Sequence, residues 1–483
     1  MTGTPDKQAR PALVQARFDA LADSRAAWMA RNAAFHAADE AYLRFLIPEG
    51  LRVLVVGCGI GDLVAALRPA RGVGIDISPR MIDIARARHP GLEFHCGDVA
   101  DPACMDRIAG PFDVILLPGT IGFLDDCQGA LQALHRWCAP ATRLIVAYHS
   151  RLWEPLLQLA ERLGLKMPEG QQNWLSTRDI MNLFDLAGFE PIRREWRQLV
   201  PRRAAGLGPL INRYLAPLPG IRRLCLRNYI VGRPRPSGPA TAAPPPSVSV
   251  VIPCRNEKGN IENAVRRLPD FGARTEILFV EGHSRDGTFE ECLRVQAAYP
   301  DHDIKVFRQT GKGKGDAVRL GFHEATGDVL LILDADLTTP PETMPRFYEA
   351  IASGRADFAN GTRFVYPMAA GAMRFLNNLA NRAFARAFSY LLNQRFTDTL
   401  CGTKAIRRSD YVRLAANRAY FGEFDPFGDF DLIFGAAKQN LKMVEIPIRY
   451  ADRDYGSTNI SRFTHGWLLL RMVLFAWRKL KAF

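Results

Sequence analysis

Two aspartates one residue apart, Asp334 and Asp336, follow a strongly apolar run in the segment VLLILDADLTTPPE. The run predicts a buried strand that ends at the first aspartate. Burying two carboxylates together at a strand end costs free energy, but the two can bind one divalent cation between them. Mg²⁺ prefers one or two protein carboxylates together with phosphate oxygens. The pair therefore indicates a metal site that would offset the charge on a leaving nucleoside diphosphate.

Three earlier segments also place polar residues after apolar runs. They are SVSVVIPCRNE with Pro253 and Glu257, ILFVEGHSRDGT with Glu281 and Asp286, and TGKGKGDAVRLGF with Lys312 and Lys314. Ligands of α/β sheets bind in the loops that follow the carboxyl ends of parallel strands. We therefore expect a ligand at this edge, where the two lysines can neutralise a diphosphate.

These four segments together resemble glycosyltransferase family 2 across about residues 247–462. The resemblance implies a GT-A fold, a nucleotide-sugar donor, inversion at the anomeric carbon, and Asp336 as the principal metal ligand beside Asp334. It implies donor-site roles for Pro253, Glu257, Glu281, Asp286, Lys314 and Asp334. Many relatives carry D-D-G-S where this chain has Glu281-Gly282-His283-Ser284, so uridine and guanosine donors both stay open.

Two further segments, DTLCGTK at 398–404 and RDYGSTN at 453–459, indicate the acceptor. They resemble the subgroup of dolichyl-phosphate mannosyltransferase and bacterial polyprenyl-phosphate glycosyltransferases. That resemblance implies a polyprenyl phosphate or lipid-linked glycan, with Arg363, Lys404 and Arg453 on the lipid phosphate. Much of the subgroup has Lys where this chain has Asn459.

An acidic pair in FGDFDL, Asp429 and Asp431, lies where this family usually places its catalytic base. A hydroxyl acceptor needs a base, whereas a phosphate acceptor is already an anion. We favour Asp429 of the two. A soluble or protein acceptor with Asp429 as base remains the alternative.

In the first half of the chain, the turn VLVVGCGIGDL places Gly57, Gly59 and Gly61 between an apolar run and a helix. Glycines let the backbone pass close to a ligand, and the helix start offers unpaired N–H donors. Asp76 ends the next apolar run, where a carboxylate can bind ribose hydroxyls. Asp98 follows the third run, where a side chain can reach a base.

With the segment Phe112-Asp113-Val114-Ile115, these features resemble the class I S-adenosylmethionine-dependent methyltransferases across about residues 18–234. The resemblance implies S-adenosylmethionine bound by the three glycines, Asp76 and Asp98, but no particular methyl acceptor. Of the strand-end candidates Thr120, His149 and Ser150, we rank His149 first as a base for O-methylation of a sugar. A non-catalytic S-adenosylmethionine-binding scaffold or sensor is the alternative.

Alternating strand and helix patterns predict an α/β protein with two Rossmann-like domains. The first would hold a methyltransferase-type sheet over residues 1–232, and the second a GT-A sheet over residues 248–465. Between them, RPRPSGPATAAPPPS at 233–247 predicts a linker. We also expect helices at 12–48, 372–395 and 466–483, the last two amphipathic.

The chain carries 63 Lys and Arg against 50 Asp and Glu, a net charge of +13. This excess suits phosphate-bearing substrates and an anionic membrane surface. Base-reading motifs are missing, so we expect no nucleic-acid partner. No run reaches the ~20 apolar residues of a membrane span, and the first residues lack the apolar core of a signal peptide.

The nine cysteines form no C-x-x-C pair, which is typical of a reducing cytosol. The final helix contains Trp467 and Trp477 and only basic charges, as interfacial helices do. The sequence therefore predicts a bifunctional, metal-dependent glycosyltransferase and methyltransferase. We expect it in the cytoplasm, attached peripherally to the inner face of the cell membrane.

Overall fold

A computed structural model describes residues 9–101, 106–236, 244–366, 375–420, 430–451, 455 and 462–482. The chain divides into two compact units between Arg235 and Pro236. Both units are α/β, as predicted, and each is built on one mixed sheet.

The sheet of the N-terminal unit has the strand order β3-β2-β1-β4-β5-β7-β6. The strands are β1 Arg52–Val56, β2 Arg71–Asp76, β3 Glu93–Cys96, β4 Phe112–Pro118, β5 Cys138–His149, β6 Phe189–Arg197 and β7 Arg227–Pro234. The first five pair in parallel, while β7 lies antiparallel between β5 and β6. The strand order reverses between β1 and β4, and such a switch point opens a crevice for a ligand.

Helices cover this sheet, because parallel strands as apolar as β1 must be buried on both faces. They are α1 Ala9–Leu21, α2 Arg25–Arg31, α3 Ala33–Leu46, α4 Asp62–Ala66, α5 Pro79–Arg88, α6 Cys127–Ala133, α7 Glu154–Arg162, α8 Thr177–Leu186 and α9 Leu207–Leu210, which continues into a π turn at Ile211–Leu215. The single helical region expected at 12–48 is thus three helices, α1 to α3.

The sheet of the C-terminal unit has the strand order β10-β9-β8-β11-β13-β12-β14. The strands are β8 Val248–Cys254, β9 Thr275–Glu281, β10 Asp303–Arg308, β11 Val329–Ile332, β12 Phe358–Thr362, β13 Lys404–Arg407 and β14 Met443–Pro447. The strands β8 to β11 pair in parallel, and β13 lies antiparallel to both β11 and β12. The order reverses between β8 and β11, which again marks a ligand crevice.

The helices of this unit are α10 Ile261–Arg266, α11 Thr288–Ala298, α12 Lys314–Glu324, α13 Met344–Ala352, α14 Phe375–Leu392, α15 Arg408–Ala416, α16 Phe430–Lys438 and α17 Arg462–Leu480. The expected final helix is therefore present as α17, which begins one turn earlier than residue 466. Two residues of the linker expected at 233–247, Arg233 and Pro234, belong to β7.

The C-terminal helix α17 has two apolar faces. One face packs inward through Leu469, Met472 and Ala476, which are buried. The other exposes Trp467, Leu470 and Leu474, each more than half accessible to solvent. Over the residues described, we find no helix with the length and apolar content needed to cross a membrane.

Candidate functional sites

A cavity of about 390 Å³ lies at the carboxyl ends of β1, β2 and β4. Its wall contains four of the five residues expected to bind the cofactor: Gly57, Gly59, Asp76 and Asp98. Gly59 has a φ of +53°, and a Cβ there would meet no atom within 4 Å. The backbone conformation therefore favours glycine, and the turn stays open toward the cavity. Gly61 lies outside the wall, where it precedes α4 and packs against Phe94.

Asp76 ends β2, and its carboxylate holds the glycine turn in place. It accepts hydrogen bonds from the backbone N–H groups of Gly59 at 2.8 Å and Ser78 at 3.0 Å. Burial raises the pKa of Asp76 above its ordinary value. The carboxylate is therefore fixed in direction at the point where the resemblance places ribose hydroxyls.

His149 ends β5 and lines the same cavity. Its ring lies 5.8 Å from the ring of Phe35 and makes no hydrogen bond to any residue that the structure describes. Burial, reinforced by the charge of Arg227, lowers the pKa of His149 to about 3. The imidazole is therefore neutral at pH 7, and its low pKa makes it a weak base.

The other two candidate residues are placed differently. The hydroxyl of Thr120 lies in the wall but donates to the carbonyl of Val56 at 2.5 Å. Ser150 is buried and does not line the cavity. Of the three candidates, His149 is the one whose polar atoms face the cavity without a partner.

A buried ion pair beside His149 was not identified from the sequence. Asp39 on α3 accepts two hydrogen bonds from Arg227, at 2.9 and 3.1 Å, and one from the hydroxyl of Tyr229. Pairing of this kind is needed because a lone buried charge is costly. Arg227 and Tyr229 lie on β7, an antiparallel strand that we did not predict.

A second group of charges contains Glu169, which also lines the cavity. Its carboxylate lies 2.6 Å from Lys166 and 3.4 Å from Arg25. Burial alone would raise the pKa of Glu169, but the charges of Lys166 and Arg25 outweigh it and lower the pKa to about 2. Glu169 is therefore an ionised partner of two cations, and His149 is better suited to take a proton.

The C-terminal unit places the predicted metal-site residues at the carboxyl ends of its parallel strands. Nζ of Lys314, at the start of α12, lies 2.5 Å from a carboxylate oxygen of Asp334. Burial would raise the pKa of Asp334, but Lys314 outweighs that effect, and the pKa is lowered. Asp334 is therefore held as a carboxylate, the form that binds a metal.

Asp336 lies two residues further on, in the loop after β11. One of its oxygens accepts hydrogen bonds from the N–H of Thr338 at 3.1 Å and from its hydroxyl at 2.8 Å. In the described ranges no three His, Cys, Asp or Glu side chains converge. A cation held by Asp334 and Asp336 would thus take its other ligands from water or phosphate, which fits Mg²⁺.

Gly402 provides the space that the Lys314–Asp334 pair occupies. A Cβ at this position would overlap both the carboxylate of Asp334 and the ammonium of Lys314. The neighbouring hydroxyl of Thr403 donates to that of Thr339 at 3.0 Å. The segment DTLCGTK is therefore fixed against the loop that carries the two aspartates.

Three of the expected donor residues hold loops together. Glu281 accepts hydrogen bonds from the N–H of Ser284 and from Arg308. Asp286 accepts hydrogen bonds from Thr288 and from the N–H of Lys258. Glu257 accepts a hydrogen bond from Asn260. Pro253 lies within β8, where it pairs with Val280. These contacts fix the loops that follow β8 and β9.

Gln309, which lies beside Gly282, was not identified from the sequence. It is buried directly after β10, and its Nε2 lies 3.3 Å from the position that a Cβ at Gly282 would take. Its Oε1 has no hydrogen-bond partner among the residues described. A carboxamide thus lies beside the position where many relatives carry an acid.

The cations expected to hold a lipid phosphate are partly engaged within the protein. Arg363 bonds Asp398 through two nitrogens, at 2.6 and 2.8 Å. Lys404 is buried and donates to the carbonyl of Cys401. Both charges nevertheless lower the pKa of Asp334, behind the larger effects of burial and Lys314.

Two of the predicted site residues, Asp429 and Arg453, lie outside the residues that the structure describes. The other member of the acidic pair, Asp431, is nearly buried at the start of α16 and accepts a hydrogen bond from Arg418 at 3.2 Å.

The neutral state of His149 predicts a loss of stability in acid. Its pKa is about 3 in the fold and about 6.5 in an unfolded chain, so its contribution is complete above pH 6.5 and is lost as pH falls toward 3. When the pH is lowered from 7 to 5, the unfolding free energy of the wild type should fall by about 2 kcal/mol more than that of His149→Gln. Urea unfolding, followed by hydrogen exchange of β1 to β5, measures this. Equal losses in both proteins would contradict it, and the exposed His323→Gln is the control.

Comparison with known proteins assigns both units. Residues 29–194 match the family described as Methyltransferase domain, and residues 249–414 match Glycosyl transferase family 2. A solved S-adenosylmethionine-dependent methyltransferase from Thermotoga maritima is 19% identical, covers 46% of this chain and 99% of its own, and has a TM-score of 0.36.

Two curated relatives are similar to the C-terminal unit. Dolichol-phosphate mannosyltransferase of Pyrococcus furiosus is 43% identical over 121 residues, which are 24% of this chain and 33% of that protein. Undecaprenyl-phosphate 4-deoxy-4-formamido-L-arabinose transferase of Klebsiella pneumoniae is 28% identical over 229 residues, 46% of this chain and 64% of that protein. The chain thus spans a third of one relative and less than two thirds of the other. The N-terminal unit therefore contains a methyltransferase domain, and the C-terminal unit contains a glycosyl transferase family 2 domain.

Proposed function

We propose that the chain is a bifunctional enzyme. Its C-terminal domain would transfer a sugar from a nucleotide-diphosphate donor to a polyprenyl phosphate or lipid-linked glycan, and its N-terminal domain would methylate a related glycan or lipid intermediate. The observation that carries the glycosyl transfer is the ionised Asp334, paired with Lys314 at the end of a parallel strand and followed by Asp336.

In this reaction Asp334 and Asp336 would hold a divalent cation. The cation would supply positive charge to the departing diphosphate. Lys314, at the start of α12, would add a second positive charge on the same side. Because α12 also directs its unpaired N–H groups at this edge, the site is suited to an anion.

A phosphate acceptor is supported by the positive charges behind Asp334. Arg363 and Lys404 lie close enough to act on its pKa. The two curated relatives are named for dolichol phosphate and undecaprenyl phosphate. An acceptor phosphate is an anion before it reacts, so this reading needs no general base.

Attachment to a membrane surface would bring the enzyme to such an acceptor. The exposed face of α17 presents Trp467, Leu470 and Leu474, with Arg471 and Arg478 also exposed. An aromatic and aliphatic face with basic neighbours suits the interface of an anionic bilayer. We place the enzyme on the cytoplasmic face of the membrane, where nucleotide sugars are available.

For the N-terminal domain we propose O-methylation with S-adenosylmethionine. The cofactor would supply an electrophilic methyl group and would be held by the glycine turn, Asp76 and Asp98. The acceptor hydroxyl would approach from the side of His149, whose neutral imidazole would take its proton. The cavity and its neutral base favour this reaction over a non-catalytic scaffold.

Asp336→Asn should abolish metal-dependent sugar transfer, because it removes a charge that the cation needs. We expect at least a hundredfold loss of turnover with labelled UDP- or GDP-sugars and undecaprenyl phosphate, and the same loss on adding chelator to the wild type. The exposed Asp301→Asn is the control. Unchanged transfer in Asp336→Asn would remove the metal from the mechanism.

Gly402→Ala should impair the same reaction without replacing a charged residue. The added methyl must displace Asp334 or Lys314, and a shift of about 1 Å at a reacting centre can cost about a hundredfold in rate. We expect kcat/KM to fall at least tenfold while circular dichroism shows a folded protein. Full activity would mean that this ion pair does not position the donor.

Asp76→Ala should weaken S-adenosylmethionine binding at least tenfold, because a hydrogen bond to a carboxylate contributes about 1.5–3 kcal/mol. Isothermal titration measures this, with the exposed Asp83→Ala as control.

His149→Gln should bind the cofactor normally but lose about 10²–10⁴-fold in methyl transfer. Normal binding by Asp76→Ala would contradict the cofactor site, and an active His149→Gln would contradict the base.

A further inference from the structure

The N-terminal unit exposes a row of leucines on α7 and the residues that flank it. They are Leu152, Leu156, Leu159 and Leu163, exposed by 63%, 55%, 50% and 63%. Residues at spacings of three and four lie on one face of a helix. Such a face normally packs on a core, and contiguous exposed apolar surface of this kind usually marks a contact site.

A second exposed apolar segment adjoins this row. The indole N–H of Trp153 donates to the carbonyl of Leu224 at 2.8 Å, and the thiol of Cys225 lies 3.8 Å from the carbonyl of Ala216. The exposed leucines of this segment are Leu207, Leu210, Leu215 and Leu224. We call these eight leucines the leucine face.

The charge around the leucine face is predominantly positive, although residues 151–163 contain Glu154 and Glu161 beside Arg151 and Arg162. Residues 199–226 contain no Asp or Glu, and their arginines are Arg202, Arg203, Arg213, Arg222 and Arg223. Leucines accompanied by an excess of guanidinium groups suit a bilayer interface, where leucines enter the acyl boundary and arginines meet lipid phosphates. Pairing residues 199–226 with the same residues of a second copy would bring like charges together, which disfavours that mode of self-association.

The leucine face also borders the cavity of the methyltransferase domain. On α7, Leu157 and Ala160 line the cavity while their neighbours Leu156 and Leu159 face outward. Arg202 is exposed and is also part of the cavity wall. The cavity therefore reaches the protein surface beside the leucine face.

We propose that the leucine face seats the N-terminal unit on an anionic lipid bilayer, and that the methyl acceptor enters the cavity from that bilayer on a lipid carrier. The seating is independent of any reaction. The lipid-borne acceptor rests on the methyl transfer proposed above, and it narrows the acceptor to a hydroxyl carried by a membrane lipid.

The test of seating uses the full chain and vesicles of phosphatidylcholine with or without phosphatidylglycerol. Leu156→Asp/Leu159→Asp should lower the partition coefficient onto the anionic vesicles about tenfold or more. Leu293→Asp/Val412→Asp is the matched control, because it adds the same charge at exposed apolar positions of the C-terminal unit. Equal partitioning of the two variants would overturn the proposal.

Hydrogen exchange separates this surface from α17. With anionic vesicles, amides of residues 151–163 and 204–224 should become protected in the wild type and not in the Leu156→Asp/Leu159→Asp variant. Protection confined to α17 would overturn the proposal. A dimer in light scattering without vesicles, dissociated by the same variant, would assign the leucine face to a second copy and would also overturn it.

The lipid-borne acceptor has its own readout. With membranes of the native cell and labelled S-adenosylmethionine, the label should enter the chloroform-soluble fraction, and the variant should reduce it while binding the cofactor normally. If the label appeared only in the water-soluble fraction, the proposal that a lipid carries the methyl acceptor would be overturned. Absence of any label would instead count against methyl transfer, since the vesicle measurements need neither cofactor nor acceptor.

Discussion

The ion pair between Lys314 and Asp334 determines how the C-terminal site is built. A carboxylate at the end of a buried strand is costly unless a cation accompanies it, and here the cation comes from the first residue of α12. The pair needs room, which the missing side chain of Gly402 provides. Three segments distant in sequence are thus brought together by one electrostatic requirement. Asp334 therefore stays ionised at this strand end, where we propose that a metal and a diphosphate bind.

In the N-terminal domain, burial and nearby positive charge keep His149 neutral, whereas in the C-terminal domain nearby positive charge keeps Asp334 ionised. Arg227 neutralises Asp39 and at the same time disfavours a second positive charge on the imidazole. Glu169 cannot reverse this, because its own charge is shared between Lys166 and Arg25. The cavity therefore contains several ions but keeps the imidazole of His149 neutral. A neutral imidazole can accept a hydrogen bond from a hydroxyl at pH 7, but its low pKa makes it a weak base.

The sequence predicted the parallel core of each sheet, because buried strands followed by glycines or carboxylates leave a local pattern. Gly57, Gly59, Asp76, Asp98 and His149 were therefore found in one cavity, and Lys314 beside Asp334. Antiparallel strands such as β7 were missed, since their partners lie far away in sequence. The roles of Asp39, Arg227 and Gln309 depend on those distant neighbours. Glu281 was expected to face a ligand, but its hydrogen bonds to Ser284 and Arg308 depend on a loop conformation that no motif specifies.

The helix α7 places part of the cavity lining and an outward leucine row on adjacent faces of nine residues. A short helix moves as one body, so whatever orders its outer face also orders Leu157 and Ala160. Thermodynamic linkage then requires reciprocity: if a bilayer increases the affinity for the acceptor by some factor, the bound acceptor must increase the affinity for the bilayer by the same factor. Residence of the enzyme on a membrane would therefore report the local supply of its substrate, without a separate regulatory site.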